Sequence, residues 1–255
     1  MLQILSLLTL FSVAAQPAEY KCGEKKSVKR SYGTVQLTVD CNYLDDPTFD
    51  NIAVQEHKGK AHHGIEIHYD SLWRRRDSSF WVNGKENGTS LFWDTLGNVI
   101  GKSTFKMDKR FGKRESYWSK GHPSAFQNYD AQGNEDGLQQ FWWENGNKKN
   151  EYISKHGDII SATEYFQDGK PRIRYTSKRD PKTGSALKRR FIDCEAWSPT
   201  GKSTGKIVKG NGSWIVFNDG QDTTLTKVLR ETYKDSLLIK LDSLDRAEIA
   251  AWLKP

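Results

Sequence analysis

The sequence predicts an all-β protein, an elongated and solenoid-like antiparallel β-meander of repeated hairpins that ends in a short C-terminal helix. An aromatic pair stands three residues before a glycine in three successive segments, and a fourth segment, with Phe92 and Trp93, fits the same frame with one residue added. These glycines are 24, 25 and 23 residues apart: Gly97, Gly121, Gly146 and Gly169. A fixed period of this size indicates a repeat architecture. Other glycines halve the period to about twelve residues, which is the length of one strand and one tight turn.

Residues 1–15 are expected to be a signal peptide. Residues 4–15 form an apolar run that is too short to span a bilayer and is typical of the core of a secretory signal. Val13 and Ala15 provide small side chains three residues and one residue before Gln16, so we expect cleavage before Gln16. The mature chain is therefore expected to be exported, to the periplasm, the cell surface or the medium.

Residues 16–58 are interpreted as an N-terminal cap that contains a disulfide. Val35, Leu37 and Val39 alternate within residues 31–40, which predicts a strand. Cys22 and Cys41 bracket two β-like runs, and an oxidising compartment favours their pairing. Cys194 is then left over, and we expect it to be a buried structural thiol.

Residues 59–222 form the predicted repeat sheet, with about 24 residues in each repeat. Each repeat contains a strand, a turn, a second strand and a second turn. Four dipeptides favour hairpin turns because both central residues can adopt positive φ angles: Asn83-Gly84, Asn145-Gly146, Asp168-Gly169 and Asp219-Gly220. Longer glycine spacing after Gly169 predicts a widened loop around residues 178–184.

Residues 223–255 are interpreted as a C-terminal cap. Residues 223–229 and 237–241 are predicted to be strands. Asp245, followed three residues later by Glu248, is a helix-start signal, and Ile249, Trp252 and Leu253 follow at helical spacing. We expect this short helix to cover the open end of the sheet, because terminal repeats need a cap.

Composition and charge narrow the class of partner. Only 36% of the residues are hydrophobic, yet 12% are aromatic, including nine Trp, which suits a thin sheet better than a thick core. The net charge is +7, with basic clusters at residues 74–76, 106–114 and 172–190. These clusters indicate either a solvated surface or attraction to an anionic membrane or polymer. For an exported chain with no recognisable binding motif, we expect no nucleic-acid partner.

Residues 133–149 carry a family resemblance. Their pattern of Gly133, Gly137, three aromatic residues and Gly146 resembles the bacterial MORN-repeat-variant family, whose members are often labelled antitoxin-like. The resemblance covers about residues 59–220 and implies an extended antiparallel sheet of hairpins, with no shared catalytic residues. The chain departs from the pattern at Ile160, which replaces the second glycine of one repeat, and in the copy at residues 194–201, which keeps only Trp197.

The aromatic pairs supply the candidate binding residues. Because adjacent strand residues point to opposite faces, one face is expected to carry Phe92, Tyr117, Trp142 and Tyr165. The other face is then expected to carry Trp93, Trp118, Trp143 and Phe166. One column can be core, whereas the other needs a cover or a ligand, since exposed apolar strips mark interaction sites. Two alternatives stay open: both columns are packed, or the second column is a binding strip.

Catalytic and metal chemistry find little support in the sequence. Glu66, His68 and Asp70 share a strand face and could in principle hold a metal, although His63 nearby is simply a turn residue of the resembled family. Nucleophile elbows, phosphate-cradling loops and zinc-ligand spacings are all missing. We therefore predict no catalytic residues, no metal, no cofactor and no enzyme activity.

The sequence favours a protein-interaction scaffold at the cell envelope that uses one aromatic face and its basic rim. The alternative is a binding module for cell-wall glycan or anionic lipid headgroups, because tryptophan columns can stack on sugars. Oligomeric state is left open by the sequence.

Overall fold

The computed structural model describes residues 20–41, 52–179, 189–217 and 228–254. These residues form an antiparallel meander of hairpin-connected strands with one short C-terminal helix, which confirms the predicted fold class. No helix in this part of the chain has the length and apolar character needed to cross a membrane. The predicted signal peptide, the Asp219-Gly220 turn and most of the predicted widened loop lie outside the described residues. The chain divides into two compact units, Met1–Val99 and Ile100–Pro255, which are described separately.

Unit 1 is a sheet of seven described strands. They are β1 (Lys25–Arg30), β2 (Gly33–Asp40), β3 (Ile52–Lys58), β4 (Ala61–Tyr69), β5 (Arg75–Val82), β6 (Lys85–Glu86) and β7 (Gly88–Trp93). Strands β1 to β5 pair in chain order, and β5 also pairs with β6 and β7. One face buries a core of Leu37, Val39, Ile52, Val54 and Tyr69. The predicted cap is therefore continuous with the strands that follow it, since β2 and β3 belong to this sheet.

The predicted strand and disulfide of the N-terminal segment are confirmed. Val35, Leu37 and Val39 of β2 are all buried, as their alternation indicated. Cys22 and Cys41 are joined by a disulfide with a Cα–Cα distance of 5.5 Å. The bond closes the open end of the β1–β2 hairpin, opposite its turn.

Unit 2 is also an antiparallel meander. Its strands are β8 (Val99–Lys106), β9 (Lys109–Arg110), β10 (Gly112–Tyr117), β11 (Pro123–Tyr129), β12 (Gly137–Trp142), β13 (Lys148–Lys155), β14 (Asp158–Tyr165), β15 (Pro171–Arg179), β16 (Arg189–Trp197), β17 (Ser203–Val208), β18 (Asn211–Val216), β19 (Leu229–Lys234) and β20 (Leu237–Ser243). A 3-10 turn lies at Ser119–Gly121, and α1 spans Arg246–Leu253. Strands β10 to β20 each pair antiparallel with the next. The strand predicted at residues 237–241 is confirmed by β20. Residues 223–227 of the strand predicted at 223–229 lie outside the described residues, and Leu229 is the first residue of β19.

The core of unit 2 follows one row of cross-strand partners, which we call the core row: Gln139, Tyr152, Ala162, Tyr175, Cys194 and Ile207. Trp214 and Tyr233 extend it on β18 and β19. Cys194 is a free and buried thiol, as predicted. Burial raises its pKa to about 12, which suppresses the reactive thiolate form.

Helix α1 covers a second apolar cluster. Asp245 is its N-cap and accepts a hydrogen bond from the Glu248 backbone N–H, while the Glu248 side chain bonds back to Asp245. This capping box confirms the predicted helix start. Ile249 packs into a cluster with Phe166, Ile215, Phe217, Val228 and Leu244.

The hairpins use two kinds of turn, which corrects part of the turn prediction. Asn83-Gly84 has positive φ at both central residues, as predicted. Asn145-Gly146 and Asp168-Gly169 do not: only the glycines have positive φ, 87° and 86°. Each glycine is the last residue of a four-residue turn. Its N–H donates to the carbonyl of the first residue of that turn, Trp143 or Phe166. This longer loop needs a left-handed residue only at its last position.

The disulfide should contribute measurably to the stability of unit 1. The double variant Cys22→Ala/Cys41→Ala should lose about 3 kcal/mol of unfolding free energy, because its loop of about 20 residues is no longer closed in the unfolded chain. Urea unfolding followed by tryptophan fluorescence measures the loss. A reducing agent should reproduce this loss in the wild type and leave the double variant unchanged; equal sensitivity of both proteins would contradict the assignment.

Gly205 should be essential for the close approach of β17 and β18. Its φ is 143°, and a Cβ atom would lie 2.2 Å from the Ser213 carbonyl oxygen and 2.6 Å from Trp214 Cα. Gly205→Ala should therefore cost more than about 2 kcal/mol. The control is Gly201→Ala, where φ is also positive but no atom lies within 4 Å; it should cost about 1–2 kcal/mol. Equal losses in urea unfolding would show that backbone conformation alone requires the glycine.

Candidate functional site

The open face of unit 2 carries the residues that neighbour the core row in sequence and point to the other side of the sheet. Cross-strand partners on this face form a second row, which we call the charged row: Gln140, Glu151, Thr163, Arg174, Glu195 and Lys206. Each follows or precedes a core-row residue by one position, so it points away from the core. All six are partly or fully exposed. This face is therefore the accessible one along β12 to β17.

An aromatic row runs beside the charged row on the same face. Tyr117, Trp142, Tyr165 and Trp197 are each the last residue of a strand, on β10, β12, β14 and β16. All four are partly exposed. Strands lie about 4.8 Å apart, so aromatic rings on alternate strands recur about every 10 Å. Phe126 on β11 lies between the first two, with ring centroids 6.2 Å from Tyr117 and 4.9 Å from Trp142.

A β-bulge positions each of these aromatic side chains. The cross-strand register shifts between Ser116 and Tyr117, and the same shift recurs immediately before Trp142, Tyr165 and Trp197. A bulge re-aims the side chain beside it and ends regular pairing before the turn. The repeated bulge therefore explains why successive repeats present the same aromatic position.

Polar partners hold the aromatic rings in place. The Tyr117 hydroxyl donates to Glu115 and the Tyr165 hydroxyl donates to Glu151, both at 3.0 Å. Burial and these hydrogen bonds raise the pKa values of both tyrosines. Lys148 lies 2.5 Å from Glu151 and is the main cause of the lowered pKa of that carboxyl group.

At the far end of the row, the Arg174 guanidinium stands 5.8 Å from the centre of the Trp197 ring. We call the whole surface the open strip: Tyr117, Phe126, Trp142, Tyr165 and Trp197 with Glu115, Glu151 and Arg174. It combines apolar ring faces with planar charged groups whose positions are already set. Such a surface can pack against apolar groups and hydrogen-bond polar ones.

The structure does not place the predicted binding residues together in one column. Trp143 and Phe166 are buried, with exposures of 5% and 6%, whereas Trp118 is 38% exposed. None of these three lies in a strand. Each is the first residue of a turn, and its backbone N–H donates to the carbonyl four residues later. Phe166 also packs in the apolar cluster with Ile249 of α1. These three residues therefore do not form one exposed column, because strand alternation stops at the bulge.

Trp93 does not share their position either. It ends β7 in unit 1, and Asp94 is the residue that opens the following turn, with its carboxylate accepting from the N–H groups of Leu96 and Asn98. The extra residue before Gly97 shifts Trp93 by one place in the repeat. Trp93 lines a shallow cavity of about 410 Å³ together with Asp70, Arg74, Arg75, Arg76, Asp94 and Thr95.

Two residues of the possible metal trio lie together in unit 1, and the third does not join them. Glu66 and His68 are in contact, with 3.4 Å between Oε1 and Nε2. Asp70 instead accepts hydrogen bonds from the N–H groups of Leu72 and Arg74 within a turn. Asp77, the cross-strand partner of His68, takes the expected place of Asp70, at 2.7 Å from His68 Nδ1.

His68 is the centre of a polar network on this face. Hydrogen bonds to Asp77 and Glu66 raise its pKa to about 10. Burial alone would raise the pKa of Glu66, but hydrogen bonds from His68 and Gln55 outweigh it and lower that pKa. His62 is stacked between His57 and Trp81, and burial lowers its pKa. The network therefore holds one charged and one neutral histidine around a buried carboxylate.

Asp130, Asp136 and His156 in unit 2 bring their ligand atoms within 4.8 Å of one another. Asp130 already accepts hydrogen bonds from the N–H groups of Gln132 and Asn134. His156 Nδ1 lies 3.2 Å from Asp130 Oδ2 and 3.5 Å from Asp136 Oδ2. These contacts join two neighbouring turns, so we assign the three side chains a structural role.

Comparison with protein-family models and with curated proteins produced no match for this chain. The open strip is therefore interpreted from its own chemistry.

The His68 network predicts a pH dependence of stability. The ordinary pKa of histidine is about 6.5, and the folded-state value of about 10 is higher. The stabilisation is therefore complete below about pH 6.5 and is lost as pH rises towards 10. Asp77→Asn removes the leading cause, so the difference in unfolding free energy between wild type and variant should be largest near pH 6 and shrink towards pH 10. A neutral His68 ring at pH 8, seen by NMR, would contradict this.

Proposed function

We propose that this chain is an exported repeat protein that acts as a protein-interaction scaffold at the cell envelope, with the open strip of unit 2 as its docking surface. The observation that carries the proposal is the periodic row of partly exposed aromatic side chains, held by ordered charged partners. Tyrosine, tryptophan and arginine are the residue types that dominate binding energy at protein interfaces. Here Trp142, Tyr165 and Arg174 lie on one accessible face.

Pre-organisation supports binding at this surface. Side chains that must be ordered on association reduce affinity. The hydrogen bond from Tyr165 to Glu151 and the contact of Arg174 with Trp197 fix the rings before a partner arrives. The charged groups of the strip are engaged in holding the rings, which suits recognition, so we propose binding without catalysis.

Export is supported by the disulfide. A Cys22–Cys41 bond is stable in oxidising compartments and is rare in reducing ones. The apolar run at residues 4–15 would direct the chain there. The hairpin repeats also support the proposal that residues 59–220 belong to the MORN-repeat-variant family.

A second candidate function is binding of cell-wall glycan or anionic lipid headgroups in unit 1. The cavity beside Trp93 favours it, because three consecutive arginines, Arg74 to Arg76, line the cavity with the indole. Arg74 is paired with Asp70 at 2.7 Å, while Arg75 is exposed at the rim. In such a cavity the aromatic ring can stack on a sugar, and the guanidinium groups beside it can pair with an acidic group.

The scaffold proposal is tested by pull-down from envelope extract at low and high salt, followed by affinity measurement with the recovered protein. We expect one defined protein that survives high salt. Trp142→Ala should weaken its binding about 30-fold, the equivalent of about 2 kcal/mol for a central aromatic side chain. The matched control is Phe111→Ala, a 40% exposed aromatic residue outside the strip, which should bind as the wild type does. Equal loss in both variants would contradict docking on the strip.

The second candidate is tested by co-sedimentation with insoluble cell-wall glycan and with vesicles that contain an anionic lipid. Binding to glycan should persist in salt and disappear with Trp93→Ala. Release of vesicles by salt, together with weaker binding of Arg75→Gln, would identify an anionic surface as the ligand instead. Retention of neither material would remove this candidate.

A further inference from the structure

The last strand of unit 2 is an unusually apolar edge. Leu237, Leu238, Ile239 and Leu241 are 46%, 50%, 59% and 53% exposed. Strand β20 pairs with β19, and within the described residues no strand pairs with its other side. The backbone N–H and C=O groups of that side are therefore available for pairing with another strand.

The first strand of unit 1 shows how this chain protects an edge. β1 pairs with β2 alone among the described strands, and four of its six residues are cationic: Lys25, Lys26, Lys29 and Arg30. Lysine-rich edges oppose association, whereas long exposed apolar edges promote it. β20 lacks this protection, because Lys240 is its only cation.

We propose that β20 is a dimerisation edge, which pairs antiparallel with β20 of a second copy of this chain. A two-fold axis makes an interface self-complementary, so each position must suit its symmetry mate. Pairing centred on Leu241 places Leu241 opposite Leu241 of the partner subunit. Lys240 then lies opposite Asp242 of the partner subunit, and Asp242 lies opposite Lys240 of the partner subunit.

This register places opposite charges together, with one apolar pair, Leu241 and Leu241 of the partner subunit, at its centre. Lys240 and Asp242 lie two residues apart on one face of β20, with 2.9 Å between Nζ and Oδ2. In the symmetric pair they form an alternating square of two cations and two anions. Opposite charges directly across a strand pair stabilise it, and like charges destabilise it. A strand from an unrelated protein would need to supply this pattern, whereas a second copy carries it already.

Light scattering coupled to size-exclusion chromatography tests the inference on the mature chain. The wild type should be a dimer at micromolar concentration. Leu241→Lys should be a monomer, because it sets two like charges at the centre of the pair. Leu96→Lys is the matched control: Leu96 is 82% exposed but belongs to a turn and not to β20, so this variant should remain a dimer.

Charge exchange gives a test that does not depend on losing apolar surface. Lys240→Asp and Asp242→Lys should each be monomeric, since each variant faces like charges in its own pair. A mixture of the two should form a one-to-one heterodimer, and the double variant Lys240→Asp/Asp242→Lys should dimerise again. Circular dichroism verifies that each variant is folded. A monomeric wild type, or a dimer that survives Leu241→Lys, would overturn the inference.

Discussion

The hydrogen-bonded register between successive antiparallel strands is the constraint on which the rest of the structure depends. In a meander, each strand sets the position of the next. Because cross-strand partners lie on the same face of the sheet, one register decides which residues share a face along many strands. The core row and the charged row of unit 2 are direct consequences, because Ala162 and Thr163, or Cys194 and Glu195, differ by one residue and point to opposite faces. A slip of one residue anywhere would place carboxylates in the core and apolar side chains in water.

Bulges and turns give the repeats their functional character. Regular alternation alone would place both members of each aromatic pair on strand faces. Instead, the register shift before Trp142 re-aims the first aromatic residue towards the open face, and the turn that follows carries Trp143 into the interior. Where the turn begins with a carboxylate, as at Asp70 and Asp94, that side chain binds backbone N–H groups and no second aromatic residue is needed. The bulge and the turn together therefore give one copy both a surface aromatic residue, such as Trp142, and a packed one, such as Trp143.

Exposed sheet faces and edge strands each need protection against unwanted association. The open face of unit 2 is covered by polar pairs and partly exposed rings, the β1 edge is protected by cations, and α1 covers the apolar cluster around Phe166 and Phe217. The β20 edge has none of these protections, which is why a second copy is the occupant that we infer for it. A dimer would also carry two open strips, and linked sites can raise avidity without any new contact.

The sequence by itself determined the all-β class, the hairpin period, the Cys22–Cys41 pairing, the β2 strand and the capping box of α1. These features depend on residues close together in the chain, or on spacing that repeats. Tertiary structure decided which aromatic column is open, that Asp77 and not Asp70 joins His68, and that Trp93 lines a cavity with arginines. Those outcomes depend on bulges and cross-strand partners, which bring together residues whose separation in the chain has no periodic signal. Phe126 and Arg174 illustrate the point, because nothing in their local sequence distinguishes them until register places them beside Trp142 and Trp197.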